Sequence, residues 1–140
     1  MTKLNSYLSL IRFYNPIGFW LLLWPGLWGL FLSDNFNIEN FTIVVLGSFL
    51  TRSLGCAIND FLDKDFDKSV ERTKNRPIAS KELSLAEAGI FIILLASVCI
   101  FLLMQTNPYT IKLVSYVAIP MIIFYPLMKR FLAMPQLFLG

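Results

Sequence analysis

The chain has 140 residues, of which 56% are hydrophobic and only 15% charged. A soluble domain of this size has too much surface for its volume to hide that apolar content, so the composition implies a membrane protein. A formal net charge of +3 is too small for a nucleic-acid surface, and the absence of His excludes histidine bases and histidine metal ligands.

Taken in chain order, the first charge-free run is 13–33, long enough to cross the hydrocarbon. It lacks a small-residue cleavage site and reads as a retained span rather than a signal peptide. A second apolar stretch, 41–58, is interrupted by Arg52. A charged segment follows, and a charge-free run then extends over 88–111. A last run, 113–128, is lengthened at its start by Lys112, whose stem can snorkel. The expected fold is an all-α polytopic transmembrane bundle. Its spans are near 13–33, 41–58, 88–107 and 111–128, within one domain over 1–140, and a fifth helix starts in 131–140. Pro25 and Pro120 fall inside spans, where proline is tolerated better than in soluble helices. Cys56 and Cys99 sit in apolar runs and read as buried thiols rather than a disulfide framework.

Loop charges set the orientation. Lys3 and Arg12 precede the first span; Lys64, Lys68, Arg72, Lys74, Arg76 and Lys81 follow the second; Lys129 and Arg130 follow the fourth. The loop at 34–40 holds only Asp34 and Glu39, and 105–110 holds no charge. The positive-inside rule then places the amino terminus and the 59–82 loop in the cytoplasm.

The informative segment is Arg52 to Pro77. Residues 59–67 hold Asp60, Asp63, Asp65 and Asp67 against Lys64, and residues 68–81 hold five basic residues against Glu71. If the second helix continues past the membrane surface, Asn59, Asp63 and Asp67 are spaced by four and line one face. Asp60 lies beside that stripe, Arg52 falls on it, and Asp65 points away. Hard cations such as Mg²⁺ take oxygen ligands, usually one or two carboxylates completed by substrate phosphates. The basic residues that follow suit phosphate oxygens, Arg being fitted to bidentate contact. Such a set would bind a diphosphate. The bland alternative is a solvated, positive-inside anchor with no ligand. For Arg52 the alternatives are a wet or interior-facing site and simple snorkelling to the interface. Trp20, Trp24 and Trp28 repeat every four residues, which fits packing or lipid contact as well as an apolar substrate groove.

The run Asn59-Asp60-x-x-Asp63-x-x-x-Asp67, followed by Val70, Arg72-Thr73 and Arg76-Pro77, resembles the first aspartate-rich motif of the UbiA family of intramembrane prenyltransferases. Asn15-Pro16-Ile17-Gly18, Leu22-Leu23-Trp24-Pro25 and Trp28 resemble the first helix of its 4-hydroxybenzoate polyprenyltransferase branch. Tyr125-Pro126-Leu127-Met128-Lys129-Arg130 and Met134-Pro135-Gln136 resemble that branch's fourth-helix end and fifth-helix start. Asn15, where the branch often has Lys, and the extra acid Asp65 depart from the pattern. The resemblance covers essentially the whole chain but only the amino-terminal half of the family bundle, so a second aspartate-rich motif is expected in a missing carboxy-terminal half.

The resemblance implies transfer of a polyprenyl group from polyprenyl diphosphate to 4-hydroxybenzoate, in ubiquinone biosynthesis; a bacterial inner membrane is expected rather than a mitochondrial one, because no Arg-rich amphipathic presequence precedes the first span. It further implies that Asn59, Asp63 and Asp67 hold Mg²⁺ against the diphosphate, with Asp60 in support. Arg72 and Arg76, with Lys68, would neutralise the leaving group, and Arg52 or Arg12 would pair with the acceptor carboxylate. The haem O and menaquinone types of the family share the motif and stay open as alternatives. So do a non-catalytic membrane subunit and a cation port. A CDP-alcohol phosphotransferase is disfavoured because its D-G-x-x-A-R opening is absent.

Overall fold

The computed structural model describes residues 2–34 and 36–121, and among these every regular element is helical. Helix α1, Lys3–Leu10, is short and ends where the chain reverses through Arg12 at φ 58°. The Asn15 amide bonds the Arg12 carbonyl at 2.9 Å, and Pro16, which has no N–H to lose, opens α2, Ile17–Leu32. Pro25 lies inside α2.

Asn37 starts α3, Ile38–Leu62, its side-chain oxygen accepting the Asn40 amide at 2.7 Å. At ~1.5 Å per residue its 25 residues exceed the ~30 Å hydrocarbon thickness. The helix stops at Asp63, and a separate turn, α4, Lys64–Asp67, follows. Consecutive turns then lead to α5, Leu85–Met104. Its start is a capping box: Ser84 Oγ accepts the Glu87 amide, and Glu87 Oε2 accepts the Ser84 amide at 2.9 Å.

Two of these helices, α3 and α5, are long and apolar enough to cross a membrane, while α2 is apolar but shorter. Only 6% of the most apolar window of α5 is buried, which is the opposite of a soluble core helix. The second expected span therefore lies inside the longer α3, the third starts inside α5 but runs past its end at Met104, and the first loses its ends to the turn at Arg12 and to Ser33. The fourth, 111–128, and the helix expected after 131 fall partly or wholly outside the described residues. Residues from Leu103 onward form a unit of their own. There Asn107 caps α6, Pro108–Leu113, and a five-residue π-helical stretch, Val114–Ala118, follows.

The core of the first unit gathers Leu10 of α1, Ala57 of α3, Ile78 and Leu83 of the turns, and Ala88 of α5. Tyr7 and Phe91 pack against it with ring centroids 4.9 Å apart. Polar ties hold α1 in place: Ser6 Oγ donates to Glu82 at 2.7 Å, and Lys3 pairs with Glu87. Helix α2 runs against α3, Phe19 meeting Phe49 edge-on at 6.0 Å. Cys56 is buried and Cys99 half-buried, both as free thiols. These contacts fix the charged end of α3 against α1 and the turns that follow α4.

Candidate functional site

The last turn of α3 carries Asn59 and Asp60, and α4 carries Asp65 and Asp67. Asp60 has no exposed side-chain area, a position a carboxylate holds only when paired. Arg12 supplies the pair, its Nη2 donating to Asp60 Oδ1 at 2.7 Å and Oδ2 at 3.0 Å. Arg76 bridges the two buried acids, with Nη1 3.1 Å from Asp60 Oδ1 and 2.7 Å from Asp67 Oδ2. The Thr73 hydroxyl donates to the Asp67 carbonyl at 3.1 Å and fixes the turn that returns Arg76 to the cluster. Two carboxylates and two guanidiniums thus neutralise one another where α1, α3, α4 and the following turns meet.

The other expected site residues lie around this cluster. Asn59 and Asp63 are half-buried and one helical turn apart, the Asp63 amide bonding the Asn59 carbonyl at 2.9 Å. Lys68 donates to Asp65 at 2.8 Å, which holds the exposed Asp65 carboxyl below its ordinary range. Arg72 is exposed and forms no ion pair among the described residues.

The expected continuous stripe does not form, because α3 stops at Leu62 and Asp63 takes φ −92° and ψ 7°. Asp67 consequently turns inward beside Asp60, and Asp63 stays at the break. Asn59 and Asp63 are oxygen donors suited to a hard cation that phosphate oxygens complete. Among the described residues no three metal-ligating carboxylates, cysteines or histidines converge.

Arg52 lies about two α3 turns further back, in a groove of about 260 Å³ between the α1–α2 turn and α3. Phe13, Phe19, Trp20 and Phe49 supply its aromatic walls, and Asn15 and Ser53 add polar groups. Arg52 forms no ion pair there among the described residues. The expected tryptophan stripe divides: Trp20 lines this groove, while Trp24 and Trp28, with Leu21 and Pro25, line a separate open apolar hollow. Sequence spacing missed two links, Arg12 to Asp60 and Gly18 to Arg52. The Asn-Pro-Ile-Gly run marked the neighbourhood of both, but not their partners.

Apolar helices of membrane length, with a buried arginine–aspartate cluster at the charged end of α3, define an integral membrane protein. The family model described as the UbiA prenyltransferase family matches residues 22–140, and the chain belongs to that family. It is similar to 4-hydroxybenzoate octaprenyltransferases from Polynucleobacter asymbioticus (44% identity over 140 residues, 99% of this chain and 48% of the relative). The corresponding protein of Vibrio atlanticus is 45% identical over 142 residues, covering 99% of this chain and 49% of its own length. That of Polynucleobacter necessarius subsp. necessarius is 48% identical over 138 residues, 96% of this chain and 47% of the relative. The chain spans about half the length of the curated relatives it matches. No solved structure matches it.

Proposed function

We propose that the chain serves a membrane-embedded, Mg²⁺-dependent transfer of a polyprenyl group from polyprenyl diphosphate to 4-hydroxybenzoate, a step of ubiquinone biosynthesis. The observation that carries this reading is the segment 59–76, where half-buried Asn59 and Asp63 flank in sequence an Asp60 that Arg12 and Arg76 hold. The names of the relatives supply the substrate class.

In this reading Asn59, Asp63 and, once released from Arg76, Asp67 would hold Mg²⁺ against the diphosphate, and the ion would supply charge neutralisation for the leaving group. Arg72, Arg76 and Lys68 donate to the diphosphate oxygens. Asp60, fully engaged by Arg12 and Arg76, keeps those guanidiniums in place. The allylic C–O bond breaks with its electron pair going to diphosphate. The ring carbon beside the phenolic hydroxyl bonds to the allylic carbon, and loss of that carbon's proton restores aromaticity. Preorganised positive charge is the main source of rate. Arg12 is committed to Asp60, so Arg52 takes the acceptor carboxylate. The isoprenoid tail stays among apolar helices, with the diphosphate at the cytoplasmic mouth.

A second reading is favoured by the half-length match: the chain supplies one half of a site that a further segment completes. Both readings are tested by Asp63→Ala in the full-length protein, assayed with labelled polyprenyl diphosphate and 4-hydroxybenzoate. Mg²⁺-dependent transfer is expected to be lost. Near-normal turnover by folded Asp63→Ala protein overturns the site assignment.

A further inference from the structure

The Arg52 guanidinium lies across the backbone of Gly18, in the first turn of α2. A Cβ placed at Gly18 would stand 2.6 Å from Arg52 Cζ and 2.7 Å from Nη2, far inside contact distance. No such crowding exists at Gly29, where a Cβ would meet nothing within 4 Å. The clash at Gly18 involves only the far end of a flexible side chain. A methyl group there would leave the helix intact and expel the guanidinium instead. The place it would leave is the groove walled by Phe13, Phe19, Trp20 and Phe49, where Arg52 is the only cationic side chain among the lining residues.

We propose that Gly18 is a positioning residue: its bare Cα is the seat that holds the Arg52 guanidinium in the aromatic groove, and this seat sets the affinity for a small aromatic carboxylate. The proposal rests on the acceptor reading given above. The groove suits such a ligand twice over, offering ring edges and faces for an aromatic body and a guanidinium for its carboxylate. Ala is the better helix former, so loss of helix is not the expected consequence of Gly18→Ala.

The test is a titration of the full chain in detergent micelles with 4-hydroxybenzoate, followed by the fluorescence of Trp20 in a Trp24→Phe, Trp28→Phe background. Uncharged 4-hydroxybenzamide serves as the comparison. The native Gly18 chain is expected to prefer the acid over the amide. Gly18→Ala should weaken acid binding by about tenfold or more, the scale of one hydrogen bond to a charged group, and leave amide binding and helical circular dichroism unchanged. Arg52→Ala should do the same, and the Gly18→Ala, Arg52→Ala double variant should be no weaker than Arg52→Ala alone. Gly29→Ala should bind as the native chain does.

Acid preference that survives Gly18→Ala overturns the seat while leaving the acceptor reading in place. Additive losses in the double variant, or an equal loss in Gly29→Ala, overturn it as well. No preference for the acid in the native chain overturns the seat together with the acceptor reading.

Discussion

Asp60 is the residue on which the charged end of the first unit depends. Its carboxylate is fully buried and serves Arg12 and Arg76 at once. Asp60→Ala leaves Arg12 without a carboxylate and Arg76 with Asp67 alone, and breaking a buried pair from one side costs about 3–5 kcal/mol. Arg12→Ala costs less, because Arg76 continues to serve Asp60. Arg12 also sits at φ 58°, a conformation that costs a non-glycine residue about 1–3 kcal/mol. Arg12→Gly should therefore be milder than Arg12→Ala. The expected order of destabilisation is Asp60→Ala, then Arg12→Ala, then Arg12→Gly, read from helicity lost on titration with a denaturing detergent. An Arg12→Gly chain less stable than Arg12→Ala would show that the turn is not strained. Spacing could place Asp60 beside a stripe, but the Arg12–Asp60 link joins residues 48 apart and depends on the fold of α1 against α3. No local pattern carries that information.

Helices were legible where one physical signal governed them. Continuous apolar runs gave α3 and α5 because membrane-length burial in lipid needs no tertiary partner. The acidic stripe was misjudged at the level of the element, since it assumed that α3 runs through Asp63. Four acids within eight residues instead distribute between a helix end and a second short turn, and two of them find arginines. The start of α5 shows the contrasting case, a local motif whose partners are close in sequence. Ser84→Ala removes one arm of the capping box and should cost about 1 kcal/mol, seen as roughly fivefold faster hydrogen exchange of the Glu87 amide. Glu87→Ala should cost more, because Glu87 also holds Lys3 of α1. The Lys3 pKa is raised by that hydrogen bond with Glu87. A raised folded-state pKa means that Lys3's contribution is fully present below its unfolded pKa and is lost as pH rises through the raised one. From neutral to mildly alkaline pH the tie should therefore hold, and the amide protection factors of α1, which correct for the intrinsic rise of exchange with pH, should fall only beyond the ordinary lysine range.

For the whole molecule, charge asymmetry and helix length make one joint statement. α3 is long enough to carry its two ends to opposite faces of a bilayer. The loop before it holds Asp34 and its first turn Glu39, with no basic residue, whereas the segment after it holds Lys64, Lys68, Arg72, Lys74, Arg76 and Lys81. The positive-inside rule therefore predicts the Asp60–Arg76 cluster on the cytoplasmic side and residue 34 outside. This orientation matters for the proposed chemistry, because a diphosphate arriving from the cytoplasm would then reach the arginines without crossing the apolar layer. Single cysteines at two exposed loop positions, Asp34→Cys and Ser80→Cys, in a chain with Cys56 and Cys99 replaced by Ala, would report it directly. A membrane-impermeant maleimide should label residue 34 in right-side-out vesicles and residue 80 only in inverted ones. Labelling of both from one side would mean that α3 does not span, and the reverse pattern would put the charged end of α3 on the outer face and overturn the predicted orientation.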